Sequence, residues 1–281
     1  MTIIKEFNYE EIKGFKFGKQ LFGKPKMFSH IYFIDGLLID TGHSQMRKEI
    51  IKTTEHLAVQ QIFTTHHHED HTGNVLALRK QFNCKAYAPT LCCEIMKNPP
   101  KISFAQKITW GERPPIVDLI PKDTWIKTPN HQFQIIPIPG HAIDMVALYE
   151  PRRKWLFSSD LYVNSYIGYF LNNECISTQI ASIRSILALD FDVLLCSHNP
   201  QLKNGKQQLV KKLQFLETFF ERVALLYNEG LQAKEIFRQL KLKENNVVKL
   251  LSGGSLSKMN MVKSVLNHLE VGRKKIHMLS P

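Results

Sequence analysis

Residues 61–73 read QIFTTHHHEDHTG, and the reading of the whole chain turns on them. Gln61 to Thr65 is a short, apolar, β-branched run of the kind that forms a buried strand. The chain then enters a polar loop in which His66 and His68 stand two apart, on the same side of an extended backbone. Asp70 and His71 follow where the pattern turns helical. Neutral imidazoles together with a carboxylate suit zinc and its first-row neighbours. A histidine-rich polar loop facing water is the plainer alternative, so the loop needs partners elsewhere in the chain.

Three such partners occur, each at the end of a predicted strand. His141 follows Pro139-Gly140 at the end of strand 132–138, Asp160 follows Phe157-Ser158-Ser159, and His198 follows Leu194-Leu195-Cys196-Ser197. A lone histidine at a strand end is more often structural. Four strand ends that each offer a ligand are harder to assign to chance, because loops at one edge of a sheet are where α/β proteins assemble their sites.

The flanking pattern supports an α/β architecture in which strand, polar loop and helix recur. Residues 28–41 predict two strands joined by the hairpin dipeptide Asp35-Gly36. Helices are predicted over 44–56, 74–81 and 178–189. A second antiparallel pair is predicted at 145–149 and 154–158, and a buried strand at 192–196. The proline-bearing stretch 99–129 predicts irregular connection with isolated strands. After Asn204-Gly205 the pattern changes, and Leu209, Leu213, Leu216, Phe220 and Val223 mark one face of a long helix. Further helices are predicted at 232–240 and 258–268. The segment Ser252 to Lys258 lacks the GxxxxGK[ST] spacing of a phosphate loop. It predicts a helix junction with Ser255 or Ser257 as the N-cap.

Composition narrows the class. Of 281 residues, 43% are hydrophobic and 22% charged, as in ordinary soluble domains. No apolar run approaches the roughly 18 residues of a membrane span. The charged start MTIIKEFNYEEIKGFKFGK lacks the apolar core of a signal peptide, so a cytoplasmic, membrane-free protein is expected. Five cysteines in no framework spacing predict reduced thiols, and Cys196 reads as a small apolar residue in its strand. The net charge is +12. Residues 206–281 hold 14 Lys and Arg against 6 Asp and Glu, a balance of +8. That bias suits an acidic small molecule or nucleic acid, or simply a solvated helical surface.

The order THHHEDH (65–71), GH (140–141), SSD (158–160) and SH (197–198), preceded by IDTG at 39–42, resembles the metallo-β-lactamase-fold superfamily, above all its hydroxyacylglutathione-hydrolase-like (glyoxalase II) branch. The resemblance covers roughly residues 28–200. It implies an αβ/βα four-layer sandwich over residues 1–205, followed by a basic helical extension, 206–281. It implies two metal ions, zinc in the first place with iron or manganese as alternatives. His66, His68 and His141 would hold one metal and Asp70, His71 and His198 the other. Asp160 would bridge both, and Asp40 would orient a ligand. Two cations about 3.5–4 Å apart lower the pKa of a shared water from about 15.7 towards neutrality, which implies a hydrolase acting on an ester, thioester, lactone or phosphodiester. Asp70 and Asp160 are the candidate catalytic carboxylates. Tyr162 and Tyr166 are candidate donors to a substrate oxygen, or packing aromatics.

The departures from the family pattern also inform. Commonest secreted dizinc β-lactamases carry a cysteine where Asp160 stands, and an export signal, which weighs against antibiotic hydrolysis. Flavodiiron relatives carry a glutamate at the position of His68. An endonuclease of the β-lactamase-like type, a mononuclear iron persulfide dioxygenase and a non-catalytic metal-binding module are the competing readings. The oligomeric state is left open.

Overall fold

The computed structural model describes residues 2–19, 28–252 and 254–279. In chain order the elements begin with β1 (Thr2–Tyr9), β2 (Ile12–Lys19), β3 (Phe28–Ile34) and β4 (Leu37–Ile39). Then follow α1 (Arg47–Thr54), β5 (Gln61–Phe63), α2 (Glu69–Thr72), α3 (Val75–Phe82), β6 (Lys85–Ala88), α4 (Thr90–Lys97), α5 (Phe104–Trp110) and β7 (Ile120–Pro121). The second half holds β8 (Trp125–Lys127), β9 (Gln132–Pro137), β10 (Val146–Glu150), β11 (Trp155–Ser159), β12 (Phe170–Leu171), α6 (Ile176–Leu187) and β13 (Val193–Cys196). It ends with α7 (Gly205–Asn228), α8 (Ala233–Gln239), α9 (Asn246–Leu251), β14 (Leu256–Ser257) and α10 (Lys258–Leu279). The chain divides into two compact units: residues 1–138, 144–163 and 190–206 form one, and residues 139–143, 164–189 and 207–281 the other.

The first unit is built on two sheets. Strands β1 to β7 pair in sequence order, antiparallel as far as β4 and parallel from β4 to β7. The second sheet has the order β13-β11-β10-β9-β8, with β13 parallel to β11. The period-2 alternation of a strand decides which side chain goes where. From the first sheet, Ile31, Leu38 and Ile62 face Met46, Ile50, Val75 and Leu78 on the helical side. Their neighbours Tyr32, Ile39 and Phe63 point the other way, into a core shared with Phe133, Leu148, Trp155, Phe157 and Leu195 of the second sheet. Both faces of the sheet are therefore buried, each large side chain contributing about 1.5–3 kcal/mol. The hairpin between β3 and β4 turns on Asp35 and Gly36, both at positive φ (47° and 83°), as a two-residue primed turn requires.

Two regions differ from expectation. The charged N-terminal stretch, for which the sequence predicts no element, forms a hairpin of two eight-residue strands, β1 and β2, with Thr2 opposite Lys19 and Tyr9 opposite Ile12. Its core contribution comes almost wholly from β2, through Ile12, Phe15 and Phe17, while β1 is mostly exposed and carries polar residues. Within 99–129 the chain forms the helix α5, started by a capping box in which Ser103 Oγ accepts from Gln106 N and Gln106 Oε1 accepts from Ser103 N.

The second unit is helical, with one two-stranded piece, β12 against β14. Leu209, Leu216 and Val223 of the expected α7 stripe are fully buried. Helix α10 packs on α6 and α8. Ser264 on α10 accepts from Ile176 N and donates to Glu174 O, pinning the start of α6. Ser257 Oγ accepts from Asn260 N and so caps α10, while Gly253 of the same junction lies outside the described residues. Among the described residues no helix is long and apolar enough to cross a membrane. None of the five cysteines is in a disulfide, and Cys196 is buried.

Candidate metal centre

Strand β5 delivers the histidine-rich loop, and Thr65 is the residue around which the loop is anchored. Its backbone N–H donates to Asp40 Oδ1 at 2.8 Å, and its carbonyl accepts from Val146 N in the second sheet. Its hydroxyl lies 3.0 Å from Asp40 Oδ2 and 2.8 Å from Ser159 Oγ. Asp40 and Ser159 both sit in the left-handed region, at φ 58° and 48°. Such backbone costs about 1 kcal/mol or more per residue and persists where the surroundings hold it. Here it aims two side chains at the loop between them.

These contacts orient the imidazoles. His71 Nδ1 donates to Asp40 Oδ2 at 2.8 Å, and His66 Nδ1 lies 3.1 Å from Ser159 Oγ. His71 is completely buried. Its remaining nitrogen, Nε2, meets carboxylates: Asp160 Oδ1 at 3.4 Å and Asp70 Oδ1 at 3.8 Å. His198 repeats the arrangement from β13. Its Nδ1 donates to Phe28 O, and its Nε2 lies 3.3 Å from Asp160 Oδ2 and 3.5 Å from Asp70 Oδ2. One ligand atom each from Asp70, His71, Asp160 and His198 falls within a 4.8 Å cluster. His66, His68 and Asp160 are likewise within 4.8 Å of one another, with the His66 and His68 ring centroids 4.5 Å apart.

The electrostatics are those of carboxylates facing imidazoles. Burial works against a charged His71, yet the Asp40, Asp160 and Asp70 carboxylates hold its pKa well above the usual histidine range. Burial also opposes protonation of His198, and Asp160 followed by Asp70 raises it to about 9. Burial would raise Asp160, but the His198 and His71 imidazoles more than offset it and hold that carboxyl well below its usual range. Three carboxylates thus converge on two imidazoles and favour their charged forms.

His141 lies in a loop of the second unit. Gly140 has φ 131°, and a Cβ there would come within 2.6 Å of Gln179, so only glycine fits. His141 Nδ1 is 3.4 Å from Glu174 Oε2, and Gln179 Nε2 donates to the same carboxylate oxygen. Tyr162 is buried. Tyr166 is exposed, its ring edge-on to Phe215 at 5.7 Å.

The neighbours of the loop were not foreseen from sequence. His67 turns aside to Asp144, through both its backbone N–H (2.8 Å) and Nδ1 (2.7 Å). Glu69 is buried against Arg113, which also donates to His67 O at 2.8 Å. Ser159 was in view as part of SSD, but nothing in the sequence assigns it to His66. Glu174 and Asp144 carry no local signal, because their partners lie 33 and 77 positions away.

A family model described as the metallo-beta-lactamase superfamily matches residues 25–198. The chain is 34% identical over 100 residues to a hydroxyacylglutathione hydrolase of Bdellovibrio bacteriovorus, covering 36% of this chain and 33% of that relative. It is 24% identical over 190 residues to the hydroxyacylglutathione hydrolase of Wigglesworthia glossinidia brevipalpis, covering 68% and 64%. The chain thus spans one third to just under two thirds of the length of these relatives. A metallo-beta-lactamase family protein from Thermus thermophilus superposes with a TM-score of 0.64 at 16% identity, over 98% of this chain and 93% of that one. A metallo-beta-lactamase from Pontibacter korlensis superposes with a TM-score of 0.59 at 20% identity, over 77% and 99%. These likenesses show the fold, which is of the α/β class.

Proposed function

The chain belongs to the metallo-β-lactamase superfamily, and on that premise we propose that it is a hydrolase using two zinc ions to cleave an ester or thioester. His66, His68 and His141 would hold one ion and Asp70, His71 and His198 the other, with Asp160 available to both. The observation that carries this reading is the membership of Asp160 in both ligand groups. The donor set fits zinc: nitrogen and carboxylate oxygen throughout, with no thiolate. His71 fits in detail, since the hydrogen bond from its Nδ1 to Asp40 leaves the lone pair on Nε2, where the carboxylates converge.

When bound, the metals supply a Lewis acid and a water acidic enough to attack near neutral pH. The chain's own residues do the rest. Asp40 holds the His71 tautomer, Ser159 and Thr65 hold His66, and Glu174 is the corresponding partner of His141. Asp70, at the first turn of α2, accepts the proton of the attacking water and turns it towards the substrate carbonyl. Tyr162 and Tyr166 are carried as donors to the substrate oxygen. Residues 1–205 make the catalytic part, and 206–281 a basic extension. A thioester is favoured over other acyl substrates by the hydroxyacylglutathione hydrolases among the relatives.

The test is a panel of probes offered to zinc-loaded protein: a hydroxyacyl-glutathione thioester, a lactone, a simple ester and an oligonucleotide. Thioester cleavage that stops on chelation and returns with zinc is the expected result. Protein with two zincs bound that leaves every acyl probe intact contradicts it.

A further inference from the structure

The face of β1, β2 and β3 that looks towards the second sheet changes character along its length. At one end are Tyr9, Ile12 and Ile34. In the middle, Phe7 lies across Gly14 and beside Tyr32. At the other end Lys5 stands opposite Lys16, and Lys16 opposite His30. Directly opposed residues on one face have Cβ atoms about 4.5–5.5 Å apart, and like charges so placed destabilise a sheet. Burial, with Lys5 adding to it, lowers the Lys16 pKa. None of the ion pairs among the described residues engages either lysine.

This cationic end lies beside one residue of the candidate metal centre, His198. A cavity of about 250 Å³ is lined by Phe7, Lys16, His30, His198, Asn199 and Leu202, among others. The Lys16 ammonium lies 3.9 Å from the centre of the Phe28 ring, and the carbonyl of that same Phe28 accepts from His198. His30 donates from Nδ1 to Ser197 O, which fixes the wall beside His198. Phe7 makes the floor, its ring edge-on to His30 and Tyr32. It can do so only because residue 14 is glycine: a Cβ there would stand 2.2 Å from the Phe7 ring. The volume is below the 300–1,000 Å³ typical of a whole small ligand, so the cavity suits one portion of a substrate.

We infer that this pocket is an anion subsite in which Lys16, with Lys5 behind it, takes a carboxylate on the acyl or leaving portion of the substrate. The substrate class is then a small, negatively charged ester or thioester, and Lys16 is its specificity residue. This rests on the hydrolase reading above. Phe28 ties the lysine to the metal-centre histidine, so a carboxylate held at Lys16 sets the distance of the scissile carbonyl from the attacking water.

Two S-ethyl thioesters, the neutral acetyl and the carboxylate-bearing succinyl, test it on zinc-loaded protein. Lys16→Ala should lower the succinyl-over-acetyl ratio of kcat/KM about tenfold or more, chiefly through KM, as expected for a lost charge-assisted hydrogen bond. Lys16→Arg should keep the ratio within about threefold. Calorimetric titration with glutarate, which cannot be hydrolysed, should show affinity weakened about tenfold by Lys16→Ala and restored by Lys16→Arg. An unchanged ratio with both thioesters cleaved overturns the subsite and leaves the hydrolase standing. Loss of glutarate binding in Lys16→Ala, where the zinc-loaded wild-type protein leaves every acyl probe intact, supports the subsite and removes the hydrolase. Unchanged glutarate affinity in Lys16→Ala overturns the subsite.

Discussion

The first unit contains two clusters of buried histidine and carboxylate, and their difference is instructive. Where β1 turns into β2, His131 lies between Glu11 (2.8 Å) and the fully buried Glu150 (3.9 Å). At the other end of the same sheets, His71 and His198 lie between Asp70 and Asp160. The first cluster is closed from within the chain. Arg152 Nε is 3.2 Å from Glu150, Arg153 N donates to Glu150 at 2.7 Å, and the Arg153 guanidinium reaches Glu11. In the second, His71 meets Asp40, Asp70 and Asp160, and His198 meets Asp70 and Asp160. Residue type therefore does not separate a structural polar cluster from a metal centre. What marks the first is that the guanidinium groups of Arg152 and Arg153 complete its charge.

The contrast can be broken at several points. Asp160→Ala should have the largest effect, lowering turnover by about a thousandfold and bound zinc from two per chain to one or fewer. Parallel activity and elemental measurements check it, and two zincs retained in an inactive variant would remove Asp160 from its place between the ions. Asp40→Ala frees the His71 ring without touching a ligand, so zinc affinity should fall about 10–100-fold, as read by competition with a chelator. Glu150→Gln sharpens the comparison from the other side. It leaves two arginines beside a neutral amide, and since Arg152 is largely exposed the expected loss is about 2 kcal/mol. Thermal unfolding should shift down by roughly 5 °C, with zinc content unchanged. A loss of zinc there would mean the two clusters are not independent.

Much of the gathered site was legible in the sequence because metal chemistry restricts residue type and strands restrict position. His66, His68, Asp70 and His71 sit in one loop. Asp160 and His198 each follow a recognisable apolar run, and the alternation of Ile31, Tyr32, Phe33 and Ile34 reports a sheet buried on both faces. The residues that hold the imidazoles were not legible in the same way. Asp144 and Glu174 are two of 25 acidic residues, and their partners depend on tertiary folding alone. The β1–β2 hairpin escaped notice because β1 buries little, so its period-2 pattern is masked by Lys5, Glu6 and Asn8. Helix α5 is only seven residues long and announces itself through its capping box rather than through an apolar stripe.

Anomalous diffraction at the zinc edge from crystals of zinc-loaded protein tests the central claim most directly. The expected result is two peaks about 3.5–4 Å apart, one beside His66 and His68 and the other beside His71 and His198, with Asp160 touching both and no peak at His131. A single peak, or one seated between Glu11 and Glu150, would contradict it.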